Sequence, residues 1–391
     1  MGALDGIRVV EAGLLVQGPQ AAATLHAWGA DVIKVELPGF GDQSRWLPIG
    51  PNDVRSAYFL ACNRGKRSVT LDLRSPPGQE AFLRLAGPAD VIITNFKPGT
   101  MDGWGLGYEQ VAARNPRIVY ATGSTFGPAA PEAREGADLS GQAAGGIIST
   151  TGVDGGEPTP VAATIADHIA SQNLVAGILA ALLARERTGR GQRVDTSLVG
   201  GQIWAQASEY TAHLLSGQPL GRANRGNPMI PGLYGIFRTA DGWIAIVGVL
   251  GPAKAKFFEI VGRPDLSERF PQLYYWEAEK AELFPILDQV FAARTTSEWC
   301  QLLASAGLRH APVRNHAEVV ADPDVWDNGY LTTVSDSAGD AVVVVPPVRF
   351  SATPARAGVV APELGQHTEE VLLELGYSWD EIAELRAAGA I

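Results

Sequence analysis

One carboxylate in this sequence has the surroundings of a reacting group. Asp167 lies in Ala-Thr-Ile-Ala-Asp-His-Ile-Ala (163–170), at the entry to a strongly apolar segment, with small or apolar neighbours on most sides. Backbone N–H groups left unpaired at a helix start, with the helix dipole, can hold such a carboxylate as an anion. An ionised carboxylate sheltered from water is a nucleophile able to attack an activated acyl group. The same residue type at a helix start also serves simply as a cap. His168, next in the chain, carries no motif of its own.

Familiar catalytic constellations are missing. The first turn, Ala-Gly-Leu-Leu-Val-Gln-Gly-Pro (12–19), lacks the three spaced glycines of a dinucleotide fingerprint, and Gly39-Phe-Gly-Asp42 has only two. There is no phosphate-binding P-loop, no Gly-x-Ser-x-Gly elbow and no His-Glu-x-x-His pair. The six histidines, His26, His168, His213, His310, His316 and His367, form no metal-spaced cluster, and Cys62 and Cys300 lack ligand spacing, so no metal site is expected.

The elements that must position Asp167 alternate. Ile7–Glu11, Asp31–Glu36, Arg67–Leu73, Asp90–Asn95 and Arg117–Thr122 are strand-like, and Pro19–Trp28, Gln79–Leu85 and Tyr108–Arg114 helix-like. That alternation implies crossover connections and a mostly parallel sheet covered on both faces. Ligands of such sheets lie at the carboxyl ends of strands, which directs attention to the turns after Glu11, Leu73 and Asn95. Gly123–Pro160 reads as loop with one short helix. Ile165–Arg187 reads as a long, largely buried helix, and Val194–Leu215 as another. The Gly-, Pro- and Asn-bearing stretch 216–231 reads as a linker. A hairpin over Leu233–Val249, helices over 252–306, a strand at Ala341–Val345 and a helix at Thr368–Leu375 follow.

At 391 residues the chain exceeds one ordinary core, so two domains are expected. The net charge of -11 and the lack of a basic block argue against nucleic acid. Arg64, Lys66, Arg67, Arg74 and Lys97 nevertheless fall close enough in sequence to gather around an anionic ligand, or to form a solvated surface. No uncharged apolar run reaches the length of a membrane span, and the start lacks a secretory pattern. With only two cysteines, a cytoplasmic protein without membrane attachment is expected.

Taken together, the motifs resemble the class III CoA-transferase family, which also contains formyl-CoA transferase, carnitine CoA-transferase and α-methylacyl-CoA racemase. The resemblance spans the chain. It is carried by Leu-Asp-Gly-Ile-Arg-Val (4–9), Gly-Ala-Asp-Val-Ile-Lys-Val-Glu (29–36), Asn-Arg-Gly-Lys-Arg-Ser (63–68) and Leu-Asp-Leu-Arg (71–74). It continues through Asn-Phe-Lys-Pro-Gly (95–99), Ala-Thr-Ile-Ala-Asp (163–167), Arg-Thr-Gly-Arg-Gly-Gln (187–192) and Gly-Gln-His-Thr-Glu-Glu-Val-Leu (365–372).

The resemblance implies a doubly wound, Rossmann-like α/β large domain formed by residues 1–215 and 332–391, with linkers and a smaller α+β domain at 216–331. It also implies an interlocked homodimer. The family's catalytic aspartate falls on Asp167, and its coenzyme A contacts on Gln17, Leu71, Asp72, Leu73, Arg74, Asn95, Phe96 and Lys97. Asp138, in Glu-Gly-Ala-Asp-Leu-Ser-Gly (135–141), matches an acidic position beside the active site, with an orienting or charge-stabilising role. The implied reaction passes coenzyme A from an acyl-CoA to a free carboxylic acid through a covalent aspartyl intermediate. Coenzyme A and acyl-CoA are substrates, and no permanently bound cofactor is implied.

Two departures limit the carry-over. The racemase histidine falls near Ala137, which cannot carry a proton, so racemisation is the alternative reading; a non-catalytic CoA-binding subunit is another. The polyglycine loop of the formyl-CoA and oxalate branch is replaced at 223–232 by Ala-Asn-Arg-Gly-Asn-Pro-Met-Ile-Pro-Gly. Leu14, Leu37 and Gly103 also stand at polar or basic family positions, so some phosphate contacts are expected to differ from the family's. Trp46, Met229 and Tyr234 are candidates for the acyl pocket.

Overall fold

Runs of Val and Ile with no polar alternation build the centre of the first half. In the computed structural model, which describes residues 1–129, 134–336, 339–356 and 360–391, they form six strands. These are β1 (Arg8–Ala12), β2 (Asp31–Glu36), β3 (Arg67–Thr70), β4 (Val91–Thr94), β5 (Val119–Ser124) and β6 (Arg193–Ser197). All pair in parallel, in the order β3-β2-β1-β4-β5-β6. This is the doubly wound order, and the winding reverses between β1 and β4, where a crevice opens at the carboxyl ends.

Connections alternate with the strands: α1 (Gln17–Ala27), α2 (Ala57–Asn63), α3 (Pro76–Ala86), α4 (Thr100–Gly103) and α5 (Tyr108–Arg114). The β5-to-β6 crossover carries α6 (Asp138–Ala144), α7 (Ile147–Thr150) and the 24-residue α8 (Ile165–Thr188). Local chemistry sets the helix starts. Ser56 and Ser75 accept the N–H groups of Phe59 and Gly78 at the starts of α2 and α3, and α3 opens with Pro76.

Strand periodicity divides the core in two. Val10, Ile33, Val69 and Ile92 face one side, packing with Phe82, Leu85, Leu372 and Leu385. Val9, Val32, Val91 and Ile93 face the other, with Leu25, Leu174 and Ile178. Each such fully buried side chain contributes about 1.5–3 kcal/mol. Among the described residues, α8 is the one helix long and apolar enough to cross a membrane. Here it joins two strands of one sheet, with Ala170, Leu174, Ile178 and Ala181 buried.

The C-terminal segment returns to this core. The main chains of Ser68 and His367 pair at 2.9 Å, and Thr70 donates its N–H to Thr368 Oγ1 at 3.0 Å, so the Gly-Gln-His-Thr motif covers the open edge of β3. Helices at Thr368–Glu374 and Trp379–Ala387 follow.

The chain sections into two compact units, Met1–Gly145 with Ala162–Ala205 and Pro323–Ile391, and Gly146–Val161 with Gln206–Asp322. These limits differ from breaks at 215/216 and 331/332. Residues 146–161 join the second unit because Ala223 and Asn224 donate their N–H groups to the Thr150 and Gly152 carbonyls, both at 2.8 Å. That unit holds an antiparallel sheet of β7 (Leu233–Arg238), β8 (Trp243–Val249) and β9 (His310–Pro312). Its core is aromatic, with Phe237 stacked on Phe291 at 5.1 Å. A separate hairpin, β10 (Leu331–Asp336) and β11 (Gly339–Val344), belongs to the first unit.

Two element assignments are corrected. Residues 194–215 are not one helix: Arg193–Ser197 is the edge strand β6, followed by α9 (Leu198–Ala205) and α10 (Ala207–Ser216). Val194 and Thr196 alternate as strand residues do, but only pairing with β5 makes that short run extended. The stretch 123–160 contains two helical pieces, α6 and α7, rather than one.

Candidate active site

The first turn of α8 stands at the carboxyl edge of the sheet because the helix leaves β5 and returns to β6 in parallel. Thr164 precedes it but makes no side-chain cap. Asp138, at the start of α6, takes that role: its Oδ1 accepts the N–H of Ala166 at 2.8 Å and of Asp167 at 3.2 Å. Its Oδ2 accepts from Gln142 Nε2 at 2.7 Å, and that buried amide also donates to the Ala163 carbonyl.

The helix-start N–H groups therefore serve Asp138 and not Asp167. Among the described residues nothing donates a hydrogen bond to the Asp167 carboxyl. Burial, and then the neighbouring Asp138 charge, push its pKa up to about 7. The expectation of an anion held by the helix dipole is thus reversed: Asp167 is poised between its two protonation states at neutral pH. His168 is turned to other work. Its Nδ1 lies 2.6 Å from Gln20 Oε1 and its Nε2 3.2 Å from Thr164 Oγ1, and burial lowers its pKa.

Gln17 opens α1, directly after the β1 turn. It is 3% exposed, and its Nε2 has no partner. The amide lies against β5 so closely that a Cβ at Gly123 would come within 2.4 Å of Oε1. A side chain at Gly123 would displace the Gln17 amide from this position. Sequence reasoning missed Gly123; a glycine at the carboxyl end of a strand was the available signal.

Asn95 follows β4 across the winding reversal. Its Oδ1 accepts the Leu14 N–H and its Nδ2 donates to the Leu14 carbonyl, both at 2.8 Å. The side chain holds the β1–α1 turn and is not free to face a ligand. Phe96 meets Trp104 edge-on at 5.5 Å, and Lys97 forms an exposed pair with Glu135 at 3.3 Å. A shallow pocket beyond β4 and β5 is lined by Phe96, Lys97, Thr122, Gly123, Ser124 and Arg193. Arg193 was not singled out by the sequence.

Leu71–Arg74 lie beyond β3, two strands from β1. The Leu71 and Leu73 side chains are buried in the core, so only their main chain can meet a ligand. Even there, the Leu71 N–H donates to the Glu36 carbonyl and the Asp72 N–H to that of Ala390, both at 2.8 Å. Arg74 is exposed, with its guanidinium held by Asp72 at 2.8 and 2.9 Å. The structure thus gathers Gln17, Asn95, Phe96 and Lys97 around the β1/β4 crevice and sets Leu71–Arg74 apart at the sheet edge. Among the described residues no group of three His, Cys, Asp or Glu side chains could hold a metal ion.

A doubly wound parallel sheet, with a carboxyl group poised near neutral pH and basic side chains beyond two strand ends, describes an α/β enzyme acting on an anionic ligand. The comparisons with known proteins narrow this class. The family model described as CoA-transferase family III matches residues 4–368, and the chain belongs to that family. A succinyl-CoA:mesaconate CoA-transferase of Haloarcula hispanica is 34% identical over 388 residues, covering 96% of this chain and 97% of that protein. The succinyl-CoA:glutarate CoA-transferase of Homo sapiens is 31% identical, covering 99% of this chain and 90% of its own length. Among solved structures, a CAIB/BAIF family protein from Brucella suis aligns with a TM-score of 0.85 at 34% identity, covering 96% of this chain and 99% of that one.

Proposed function

We propose that this enzyme moves coenzyme A from an acyl-CoA to a free carboxylic acid through covalent intermediates on Asp167. The observation that carries the proposal is the Asp167 carboxyl itself: partly buried, without a hydrogen-bond partner among the described residues, and raised to about pKa 7 by burial and Asp138. A carboxylate so little solvated keeps its nucleophilicity, and near neutral pH it ionises without a dedicated base.

The steps balance without any added reactant. The Asp167 carboxylate attacks the donor thioester carbonyl, giving an aspartyl–acyl anhydride and CoA thiolate. The thiolate attacks the aspartyl carbonyl, giving an aspartyl–CoA thioester and releasing the donor acid. The acceptor carboxylate attacks that thioester, forming a second anhydride and releasing the thiolate again. Attack on the acceptor's acyl carbon yields the new acyl-CoA and frees Asp167. Asp138, tied to the backbone beneath, holds the first turn of α8 in place.

Gln17, with its unpartnered Nε2 at the crevice, is suited to donate to the thioester region. Arg74 and Lys97 are suited to the phosphates, exchanging their present carboxylate partners for them. Because relatives are named for succinyl-CoA with mesaconate or glutarate, we infer a dicarboxylic donor and acceptor. The homodimer that the family resemblance implies is the proposed working assembly. Racemisation needs an acid–base pair across the α-carbon; Ala137 offers none, and both His168 nitrogens are engaged elsewhere.

The test is intact-mass spectrometry after incubation with succinyl-CoA and a panel of other acyl-CoAs, followed by hydroxylamine trapping. An adduct on Asp167, absent from Asp167→Ala, is expected. No adduct with any donor, together with deuterium exchange at the α-carbon, overturns the proposal in favour of racemisation.

A further inference from the structure

The β1–α1 turn, immediately before Gln17, is fixed from beneath by buried charges. Three successive amides donate to side chains: Gly13 to Glu11 Oε1 at 2.9 Å, Leu14 to Asn95 Oδ1 at 2.8 Å and Leu15 to Asp42 Oδ1 at 3.0 Å. Two ammonium groups hold carbonyls of the same stretch, Lys34 that of Gly13 at 3.1 Å and Lys66 that of Pro19 at 2.8 Å. Lys34 bridges Glu11 and Asp42 at 3.0 and 2.8 Å, and Lys66 pairs with Glu11 at 2.8 Å. All four charged side chains have zero exposure.

A four-charge cluster stripped of water is a poor way to gain stability, because desolvation offsets the attraction between its members. Its members share another property: each bonds the backbone of residues 13–19. Within that stretch Leu15 has φ +63°, a left-handed conformation that leucine disfavours. A strained conformation persists only where its surroundings over-determine it. The N–H bond to Asp42 supplies that constraint. The next amides, those of Val16, Gln17 and Gly18, are left without partners among the described residues, at the first turn of α1 and beside the unpartnered Gln17 amide.

We propose that Asp42, backed by Lys34, is a positioning residue for the transfer reaction: it locks Leu15 left-handed, and the locked turn aims the Gln17 amide and the opening N–H groups of α1 into the crevice. This rests on the transfer reading above. Asp42 lies 27 residues from Leu15, in the segment after β2, and touches no proposed substrate atom. Its effect belongs on the chemical step, since the groups suited to the phosphates, Arg74 and Lys97, stand elsewhere.

The experiment compares wild type, Asp42→Ala, Leu15→Gly and the Asp42→Ala/Leu15→Gly double variant, with succinyl-CoA and glutarate as probes. Asp42→Ala is expected to lower kcat roughly 10- to 100-fold, the scale of a small misplacement of reacting groups, with KM for succinyl-CoA little changed. Glycine adopts the left-handed conformation freely, so the double variant is expected to regain about tenfold in kcat without regaining the Tm lost when Lys34 loses one of its two carboxylate partners. A double variant no faster than Asp42→Ala, or a loss confined to Tm, overturns the positioning role.

If Asp42→Ala does not fold, Leu15→Val carries the test. It leaves the charge cluster intact but makes the left-handed turn harder to hold, and an unchanged kcat overturns the proposal. A wild-type protein that forms no adduct and transfers nothing from any donor is a different result: it removes the transfer reading, and the positioning role with it.

Discussion

Asp138 accepts the backbone N–H of Asp167 at 3.2 Å while the Asp167 carboxyl receives no hydrogen bond from any described residue. One carboxylate is thereby anchored as a cap, and the other is left to titrate. The two acidic residues are separated in role by environment alone, one solvated by amides and the other by little.

Activity is expected to follow the ionisation of Asp167. kcat/KM rises with pH through about 7 in the wild type, the value set by burial and Asp138. Asp138→Asn removes the like charge but not the burial, so the acid limb moves to lower pH without reaching the ordinary aspartate range. A pH–rate profile showing the same midpoint in both proteins contradicts this assignment.

The stability of Asp167 variants has the opposite sign from that of most buried polar deletions. A folded pKa raised from 3.8 to about 7 means the stabilising contribution is present below the unfolded pKa and lost as pH rises through about 7. Asp167→Asn is therefore expected to be more stable than wild type at pH 8, by up to about 2 kcal/mol after allowing for partial exposure, and near parity at pH 4. Urea titration at the two pH values reads the difference, while turnover falls by at least about a thousandfold.

Asp138→Ala strips the cap from two amides of α8 and removes one hydrogen-bond partner of the Gln142 amide, which keeps its bond to the Ala163 carbonyl. A loss of about 1–2 kcal/mol in unfolding free energy is expected, with Asp138→Asn losing less because it keeps an acceptor oxygen. Equal losses in the two variants count against the capping role.

Arg74→Ala is expected to raise KM for acyl-CoA about tenfold while kcat stays within about threefold, because a phosphate contact binds ground and transition states alike. The guanidinium is exposed and, among the described residues, held by Asp72 alone in the free enzyme. Raising ionic strength is expected to shrink the difference between wild type and variant. A variant with unchanged KM removes Arg74 from the binding site.

Much of the architecture is legible because local pattern and final structure agree. The β-branched runs at 31–36 and 91–94 became strands buried on both faces, and the apolar spacing from Ile165 onward became α8. The helix read from Gln79 begins three residues earlier, at Pro76, where Ser75 caps it. Where the pattern was short or mixed, reading failed. Arg193–Ser197 is extended only because it pairs with β5, and 146–161 belongs to the second unit only because Ala223 and Asn224 bond to it.

The same division runs through the candidate site. The sequence by itself determined that Asp167 begins an apolar helix, that strand ends carry Arg74 and Lys97, and that the motifs are those of a CoA-transferase. Residue type and near-neighbour spacing are sufficient for the first two; the third rests on resemblance to a known family. Only the tertiary structure decided that Asp138 takes the helix-start amides and leaves Asp167 raised, that Asn95 holds Leu14, that Gly123 admits Gln17, and that Asp42 keeps Leu15 left-handed. These facts depend on groups 27 to more than 100 residues apart meeting in a space with little water, where charge, desolvation and hydrogen-bond geometry act together. Spacing along the chain carries no record of that meeting.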